Sequence, residues 1–555
     1  MKNFLKTLLF LLILECGSQE VILAQTNPGF VGPRANTADD PADGVYVSPT
    51  GNDATANGSK DRPYKSIIAA LNAAQPGGTI VLRSGTYYEY NMIRIRKPNI
   101  TIKSAKGEWA KIDLPLDHDP DLTYKQSSTI RFDAYGTGSS GGKLQSIEVI
   151  GGFYAVCFDT KWGDWDETVW SGASNIIIED CILHDSRNDV VKVKPNCNNV
   201  TIRYNEIYNS GKGFSNSDCT PDGRGNAEGI DNVNGANMIV QNNHIHDICT
   251  NGIYAKGGAT DALIENNLIE NIFGAGILVG FDTSPEYFDT KVNPDYYENI
   301  QGIVRNNLII NTVLSGIGLY AAKDAQVYNN TLINVANGPS HSAIYFGITL
   351  QDWESYAGRP ASINPIIHHN LVSQPSTITR PMVEIRYDKN NQLGNLSALD
   401  GKVTMNDNCY YIAGKSATFN DNRPTAVTNM SLAAWKTHIG SDNGSVEVNP
   451  SLNDNYMPAN TQCTGMGIQF PINKENPTGT AAPALLTETV ASLRDGVLWV
   501  ESPVAETVQG YSLTGTLLFN LRKPAGKVSY FIDQPKGAMI ILKGSSGWTK
   551  KIIAQ

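Results

Sequence analysis

Seven short phrases decide the fold: IIIEDCILHD at 176–185, VTIRYNEIYN at 200–209, MIVQNNHIHD at 238–247, LIENNLIEN at 263–271, IVRNNLIIN at 303–311, QVYNNTLIN at 326–334 and IIHHNLV at 366–372. Each is an aliphatic strand, a polar step and a second strand. Aligning them puts Cys181, Asn205, Asn243, Asn267, Asn307, Asn330 and Asn370 in one column, at steps of 24, 38, 24, 40, 23 and 40 residues. Three steps share a period near 24; the other three carry insertions, near 210–227, 281–300 and 348–365. Short strands repeating every twenty-odd residues, with turn residues and no helical spacing, define a β-solenoid whose rungs stack into one core. The asparagine column is expected to satisfy backbone groups at the turns.

Outward from this core, the fold class is all-β: a β-solenoid over residues 45–470. An N-terminal capping helix is expected over 66–74, with Ile67, Ala70, Leu71 and Ala74 on one face and Pro76-Gly77-Gly78 as its stop. A Pro/Thr/Ala-rich linker follows at 471–486, then a small C-terminal β-sandwich at 487–555. At the other end, Lys2 and Lys6 precede a short apolar run, so residues 1–24 read as a secretory signal peptide and the protein as secreted, cell-surface or periplasmic. Glu15 stands before Cys16 where a lipobox needs a small residue. The remaining seven cysteines, odd in number and irregularly spaced, read as buried free thiols. A net charge of -10 argues against nucleic acid as a partner, but leaves room for an acidic glycan met by a local cationic field.

Each rung carries a further strand: VVKVK (190–194), GIDNV (229–233), GIYAK (252–256), GILVG (276–280), GIGLY (316–320) and AIYFG (343–347). Alternation sends Val191, Ile230, Ile253, Ile277, Ile317 and Ile344 inward, so Lys192, Asp231, Tyr254, Leu278, Gly318 and Tyr345 face outward. Two residues on come Lys194, Val233, Lys256, Gly280 and Tyr320. With rungs about 4.8 Å apart, Lys192, Lys194, Asp231, Tyr254 and Lys256 should share one patch, bordered by the insertions as a trough. A second outward column, His184, Tyr208 and His246, is expected to form one wall, with Arg187, Asp189 and Glu228 in the turns between.

Lysine, tyrosine and histidine suit β-elimination from a uronic acid. Proton removal beside the carboxylate builds an enolate-like dianion that needs positive charge, a base and an acid for the departing oxygen. Lys192 or Lys256 can act as base or charge clamp, and Tyr254 or His246 can serve the leaving group. Arg187, Tyr208, His184, Tyr320 and Tyr345 are expected to hold substrate. Hydrolysis needs two facing carboxylates; Asp231 with Glu228 or Asp189 is the visible pair, and the neighbouring lysines are expected to keep these acids ionised. The same three acids are candidate Ca²⁺ ligands.

The opening VSPTGND…KDRPYKSIIAALNAAQPGGTIVLRSGTYYE, followed by NDVVKVK and the rungs, resembles right-handed parallel β-helix proteins of the pectate-lyase-like superfamily, similar to polysaccharide lyases of families 9 and 6. The resemblance spans roughly residues 45 to 470. It implies a lysine base, matched by Lys192 or Lys194, beside a calcium held by several aspartates; only Asp189 and Asp231 stand nearby here. The same fold also carries hydrolases, epimerases and phage adhesins; the alternative readings are an oligosaccharide dehydratase removing water from a terminal uronate of ulvan-type fragments, a β-helix glycoside hydrolase, and a non-catalytic glycan-binding solenoid or adhesin. At the C-terminus, GYSLTGTLLFNL, PKGAMIILKG and TKKII resemble the sorting domains of type IX-secreted proteins in Bacteroidetes, implying that secretion machinery as a partner. The expected protein is a secreted, monomeric lyase acting on an acidic polysaccharide or oligosaccharide.

Overall fold

The computed structural model describes residues 29–115, 127–161, 171–211, 227–349, 359–390, 394–424, 427–474 and most of 490–553. The proposed signal peptide, nearly all of the linker and most of the 210–227 insertion lie outside the described residues. The chain divides into two compact units, Met1–Pro477 and Thr478–Gln555.

The first unit is a right-handed parallel β-helix built from three 12-stranded sheets. One rung shows the pattern. Ile177–Glu179 lies in sheet A, Ile182–His184 in sheet B and Val191–Val193 in sheet C. Each strand pairs in parallel with its counterpart one rung on: Ile177 with Thr201, Ile182 with Glu206, Val191 with Ile230. A parallel neighbour is reached here by one full turn of the coil; the three strands of this rung are three residues each, and Ile178, Leu183, Val191 and Val193 fill the interior. Inward residues such as Ile202, Ile207 and Ile230 are fully buried and belong to one continuous core.

The asparagine column is a ladder along the turn between sheets A and B. Asn267 donates its side-chain amide to Asn307 Oδ1 at 2.9 Å and to the Val240 carbonyl at 2.9 Å. It accepts at Oδ1 from the Asn243 side-chain amide and backbone N–H, at 3.0 and 2.9 Å. The same pattern runs from Asn205 through Asn243, Asn307, Asn330 and Asn370 to Asn408. A chain bend inside a dry core leaves backbone groups that must be paired, at roughly 1 to 3 kcal/mol for each one left unmade. The doubled Asn-Asn of the repeat is explained as well: Asn242, Asn266, Asn306 and Asn329 have φ between 53° and 58°, the left-handed conformation asparagine tolerates.

Both ends of the core are capped. Helix Ile67–Ala73, its first turn closed by Ser66 Oγ accepting from the Ala69 N–H, buries Ile67, Ala70 and Leu71 at one end. Helix Leu432–Ile439, which the sequence reading passed over, seats Leu432, Trp435 and Ile439 at the other. It starts at Ser431 and stops at Gly440, whose φ of 69° is the left-handed cap glycine supplies. A second unanticipated feature is a strap across sheet B. Val31 donates its N–H to the Asn473 carbonyl at 3.0 Å, and Val31, Ile468 and Ile472 pack on Leu268 and Leu308. The residues ahead of the first strand are docked as well: Arg34 forks onto Asp180 at 2.7 and 2.8 Å, and Asp40 pairs with Lys103.

The cysteine reading needs one correction. Cys157, Cys181, Cys197, Cys409 and Cys463 are buried free thiols as expected, but Cys249 is disulfide-bonded. The second unit contains two antiparallel sheets, of three and four strands, between Val490 and Ile553. Leu498, Val500, Val508, Ile540, Leu542 and Ile552 form its core, drawn from both sheets.

Candidate functional site

Sheet C carries the expected column. Lys192 pairs with Asp231, Asp231 with Tyr254, Tyr254 with Leu278, Leu278 with Gly318 and Gly318 with Tyr345, while Lys256 stands beside Val233. The Lys192 ammonium hydrogen-bonds Asp231 Oδ2 and stands 3.3 Å from Asp189 Oδ2. Glu228 accepts from Thr250 Oγ1 at 2.8 Å, and the Asn251 side-chain amide donates to the Tyr254 hydroxyl at 2.6 Å. Lys256 lies 4.5 Å from the Tyr254 ring centroid, and Phe281 stacks on that ring at 5.2 Å. Lys194 pairs with Asp159 at 2.8 Å, and Asp159 faces Arg131 at 3.5 Å. Arg131 and Asp159 were missed by the sequence reading. The period-2 pattern of YAVCF, one rung before VVKVK, would have extended the column to them, since Cys157 pairs with both Arg131 and Lys192.

The site is layered. Asp189, Glu228 and Asp231 are sealed at 0 to 1% exposure, whereas the Lys192 and Lys194 side chains are 12% and 18% exposed. An open trough lined by all these groups, as expected from alternation, is therefore corrected: the acids are sealed and the lysine side chains only partly exposed.

Electrostatics assigns protons. Burial would lower the Lys192 pKa, but Asp231 and Asp189 outweigh it and raise it well above the ordinary lysine value. Lys192 is thus held charged, which counts against the expectation that it acts as a base. Burial lifts Asp189 well above the ordinary carboxyl range, and the adjacent Glu228 and Asp231 charges lift it further against the pull of Lys192. Burial opposes ionisation of Asp231 too, yet Lys192 and Lys256 hold its pKa below the ordinary value. The expectation that the lysines keep every acid ionised fails at Asp189, because desolvation wins there. Burial, with the Glu228 and Asp231 charges, raises the Tyr254 phenol well above 10, so it is a proton donor and not a base.

Three expected residues fall elsewhere. His184, Tyr208 and His246 do form a column, ring on ring at 4.6 and 4.9 Å, but on the outer face of sheet B. His184 bonds Glu148 and Asp185, and His246 bonds Glu206 and Asp247, all on or beside that sheet. His246 is therefore not the leaving-group acid of the Lys192 patch, and His184 and Tyr208 are not its wall: the intervening turn of 185–190 rotates the chain onto a different face. Arg187 sits half-buried in that turn. Tyr320 and Tyr345 lie in the sheet C column, yet are only 4% and 3% exposed, packed in an aromatic cluster with Tyr254, Leu278 and Phe281. Their rings are committed to each other instead of a sugar.

Calcium can be tested against the acids. Oxygen atoms of Asp189, Glu228 and Asp231 lie within 4.8 Å of one another, and Asp189 Oδ2, Glu228 Oε2 and Asp231 Oδ1 have no hydrogen-bond partner. Calcium takes six to eight oxygens at about 2.3 to 2.6 Å. Here the Lys192 ammonium already bridges Asp231 and Asp189, and burial favours the protonated form of Asp189. The position and the charge of the cation are taken, so the arrangement does not fit calcium.

The family description "Right handed beta helix region" matches residues 168–293 and 228–422, and "Protein of unknown function (DUF1565)" matches 49–93. Pectate lyase PEL9 of Emericella nidulans is 31% identical over 123 residues, 20% of this chain and 29% of that protein, so the chain spans under a third of its curated relative. Among solved structures, pectate lyase Pel9A is 16% identical with a TM-score of 0.40, covering 62% of this chain and 79% of its own. A rhamnogalacturonan lyase gives 14% and 0.41, covering 66% and 87%. The A-module of mannuronan C-5 epimerase AlgE6 from Azotobacter vinelandii gives 13% and 0.43, covering 69% and 94%. At these identities and scores the structures carry no argument about chemistry.

Proposed function

We propose that the protein binds an anionic, uronate-containing glycan on the outer face of sheet C and cleaves it by β-elimination. One observation carries the reading: the Lys192 and Lys194 side chains are partly exposed, at 12% and 18%, while the carboxyls they pair with are buried, so the charge nearest an approaching chain is positive. The Lys192 ammonium, held charged by Asp231, takes the substrate carboxylate and the enolate charge that develops on it. The Lys256 nitrogen takes the proton beside that carboxylate. The electron pair forms the new C=C bond as the neighbouring C–O bond breaks, and the departing oxygen takes the Tyr254 phenol proton. The resulting phenolate lies beside the Lys256 ammonium, which can return the proton. The similarity to pectate lyase PEL9 over part of the chain supports the same class of chemistry.

Hydrolysis has one feature in its favour, the opposed shifts of Asp189 and Asp231. Against it, the Lys192 ammonium stands between those two carboxyls, where a scissile glycosidic bond would have to lie. Mass spectrometry on a panel of uronate glycans tests the proposal. Unsaturated fragments whose masses sum to that of the substrate are expected. Loss of one water from a chain end would keep the elimination but make the enzyme a dehydratase, correcting the cleavage; gain of water, or no change across the panel, would overturn it.

A further inference from the structure

Sheet B carries a second constellation, away from the lysine patch. Glu206 on the strand Glu206–Tyr208 and His244 and His246 on the next strand, His244–Ile248, offer three ligand atoms within 4.8 Å of one another. Glu206 Oε1 is 3.3 Å from His246 Nε2 and 3.7 Å from His244 Nδ1. The two imidazoles stack at 4.1 Å. Both parity and pairing explain the cluster: Glu206 and His244 are register partners, and His246 follows His244 by two residues on the same outward face.

A second observation separates this group from an ordinary surface ion pair. Each imidazole uses its other ring nitrogen on a further carboxylate: His244 Nε2 bonds Glu270 Oε1 at 2.9 Å, and His246 Nδ1 bonds Asp247 Oδ2 at 2.8 Å. Glu206 Oε1 faces the near nitrogen of His246 at 3.3 Å, so an ion binding there takes the place of the proton between them, while the carboxylate on the far nitrogen holds the ring in position. This is the outer shell that metal-binding histidines carry. Glu270 is in turn fixed by Lys474 from the end of the strap, which aligns the His244 ring from outside the sheet.

We propose that Glu206, His244 and His246 form a binding site for a borderline divalent transition ion such as zinc, with water in the remaining position. Two nitrogens and one carboxylate oxygen suit such an ion, whereas calcium prefers oxygen alone. The ion joins two consecutive rungs at the point where the strap leaves sheet B, and Glu270 and Asp247 act as positioning residues.

The test uses the full chain without a polyhistidine tag, stripped with chelator and titrated with Zn²⁺ by calorimetry and with Co²⁺ by its visible absorption. One equivalent is expected. Glu206→Gln and His246→Gln should each lose that equivalent, and Glu270→Gln should bind about 10- to 100-fold more weakly. Circular dichroism of the stripped variants confirms that each is folded, and Glu206→Gln, which keeps the side-chain volume, serves if the histidine variant is not. No uptake by the natural chain would overturn the site, as would full uptake by both ligand variants. Uptake lost in Asp189→Asn but retained in His246→Gln would place the ion on sheet C and equally overturn it.

Discussion

Replacing Lys192 with methionine separates a charge clamp from a structural ion pair. The substitution keeps a side chain of similar length and removes the ammonium bonded to Asp231 and facing Asp189. Breaking a buried pair by deleting one partner costs about 3 to 5 kcal/mol, because the other charge is stranded. Here burial already favours protonated Asp189, and Lys256 still acts on Asp231, so the lower end, about 3 kcal/mol, is expected. A solenoid of roughly 430 residues unfolds with an entropy of roughly 0.9 kcal/mol/K, so the melting midpoint should fall by roughly 3 to 4 °C. The double variant Lys192→Met/Asp231→Asn removes the stranded charge and should recover to within about 1 kcal/mol of the natural protein. Scanning calorimetry of the β-helix transition reads the stability, and turnover on the glycan found by mass spectrometry reads the chemistry. Both variants should be inactive, since neither can clamp a carboxylate. The reasoning is refuted if Lys192→Met retains turnover, or if the double variant shows no recovery of stability.

Two further outcomes follow from groups outside the patch. Burial would lower the His184 pKa, but hydrogen bonds to Asp185 and Glu148 raise it to about 9. A raised histidine contributes stability that is complete below its unfolded value of about 6.5 and is lost as pH climbs through about 9. Melting midpoints measured with chelator present should therefore fall more steeply over that window in the natural chain than in His184→Gln; parallel curves would remove this account. Cys409 and Cys463, 54 positions apart and fully buried, hold their sulfurs at 2.9 Å. Oxidised glutathione should convert them to a disulfide, the two thiols losing two hydrogens as the oxidant yields two reduced glutathiones. Closing that loop is worth about 4 kcal/mol by chain entropy. Alkylation of both thiols after such treatment, read by peptide mass spectrometry in denaturant, would show that the bond does not form.

The solenoid was legible because its signal is local and repeated. A doubled asparagine reports two separate needs of one turn, a left-handed φ and a buried amide, and strand parity carries the rest of the rung. The same parity found Lys192, Asp231 and Tyr254 in one column. What it could not find were distances perpendicular to the chain. His246 and Lys192 look equivalent as outward residues, yet a turn of a few residues puts them on different sheets. Nor does parity reveal depth: Asp189 precedes Lys192 by three positions, but only the fold shows that it lies sealed beneath the ammonium. The strap was invisible for a related reason, since Phe30 and Asn473 pair without any periodic pattern to announce it.

Depth also decides how the two faces divide their chemistry. On sheet C the carboxyls are buried and the Lys192 and Lys194 side chains are partly exposed, so the proposed ligand there is an anionic chain. On sheet B Glu206, His244 and His246 converge with their outer partners in place, so the proposed ligand there is a cation. A repeat that moves outward residues about 4.8 Å per rung gives each sheet a ladder on which such groups can be assembled independently. The separation has a chemical advantage: a transition ion on sheet B does not compete with the Lys192 ammonium for the carboxyls of sheet C. An elimination centre that depended on calcium would force that competition, because Asp189 and Asp231 cannot hold the ammonium and chelate a divalent ion through the same oxygens.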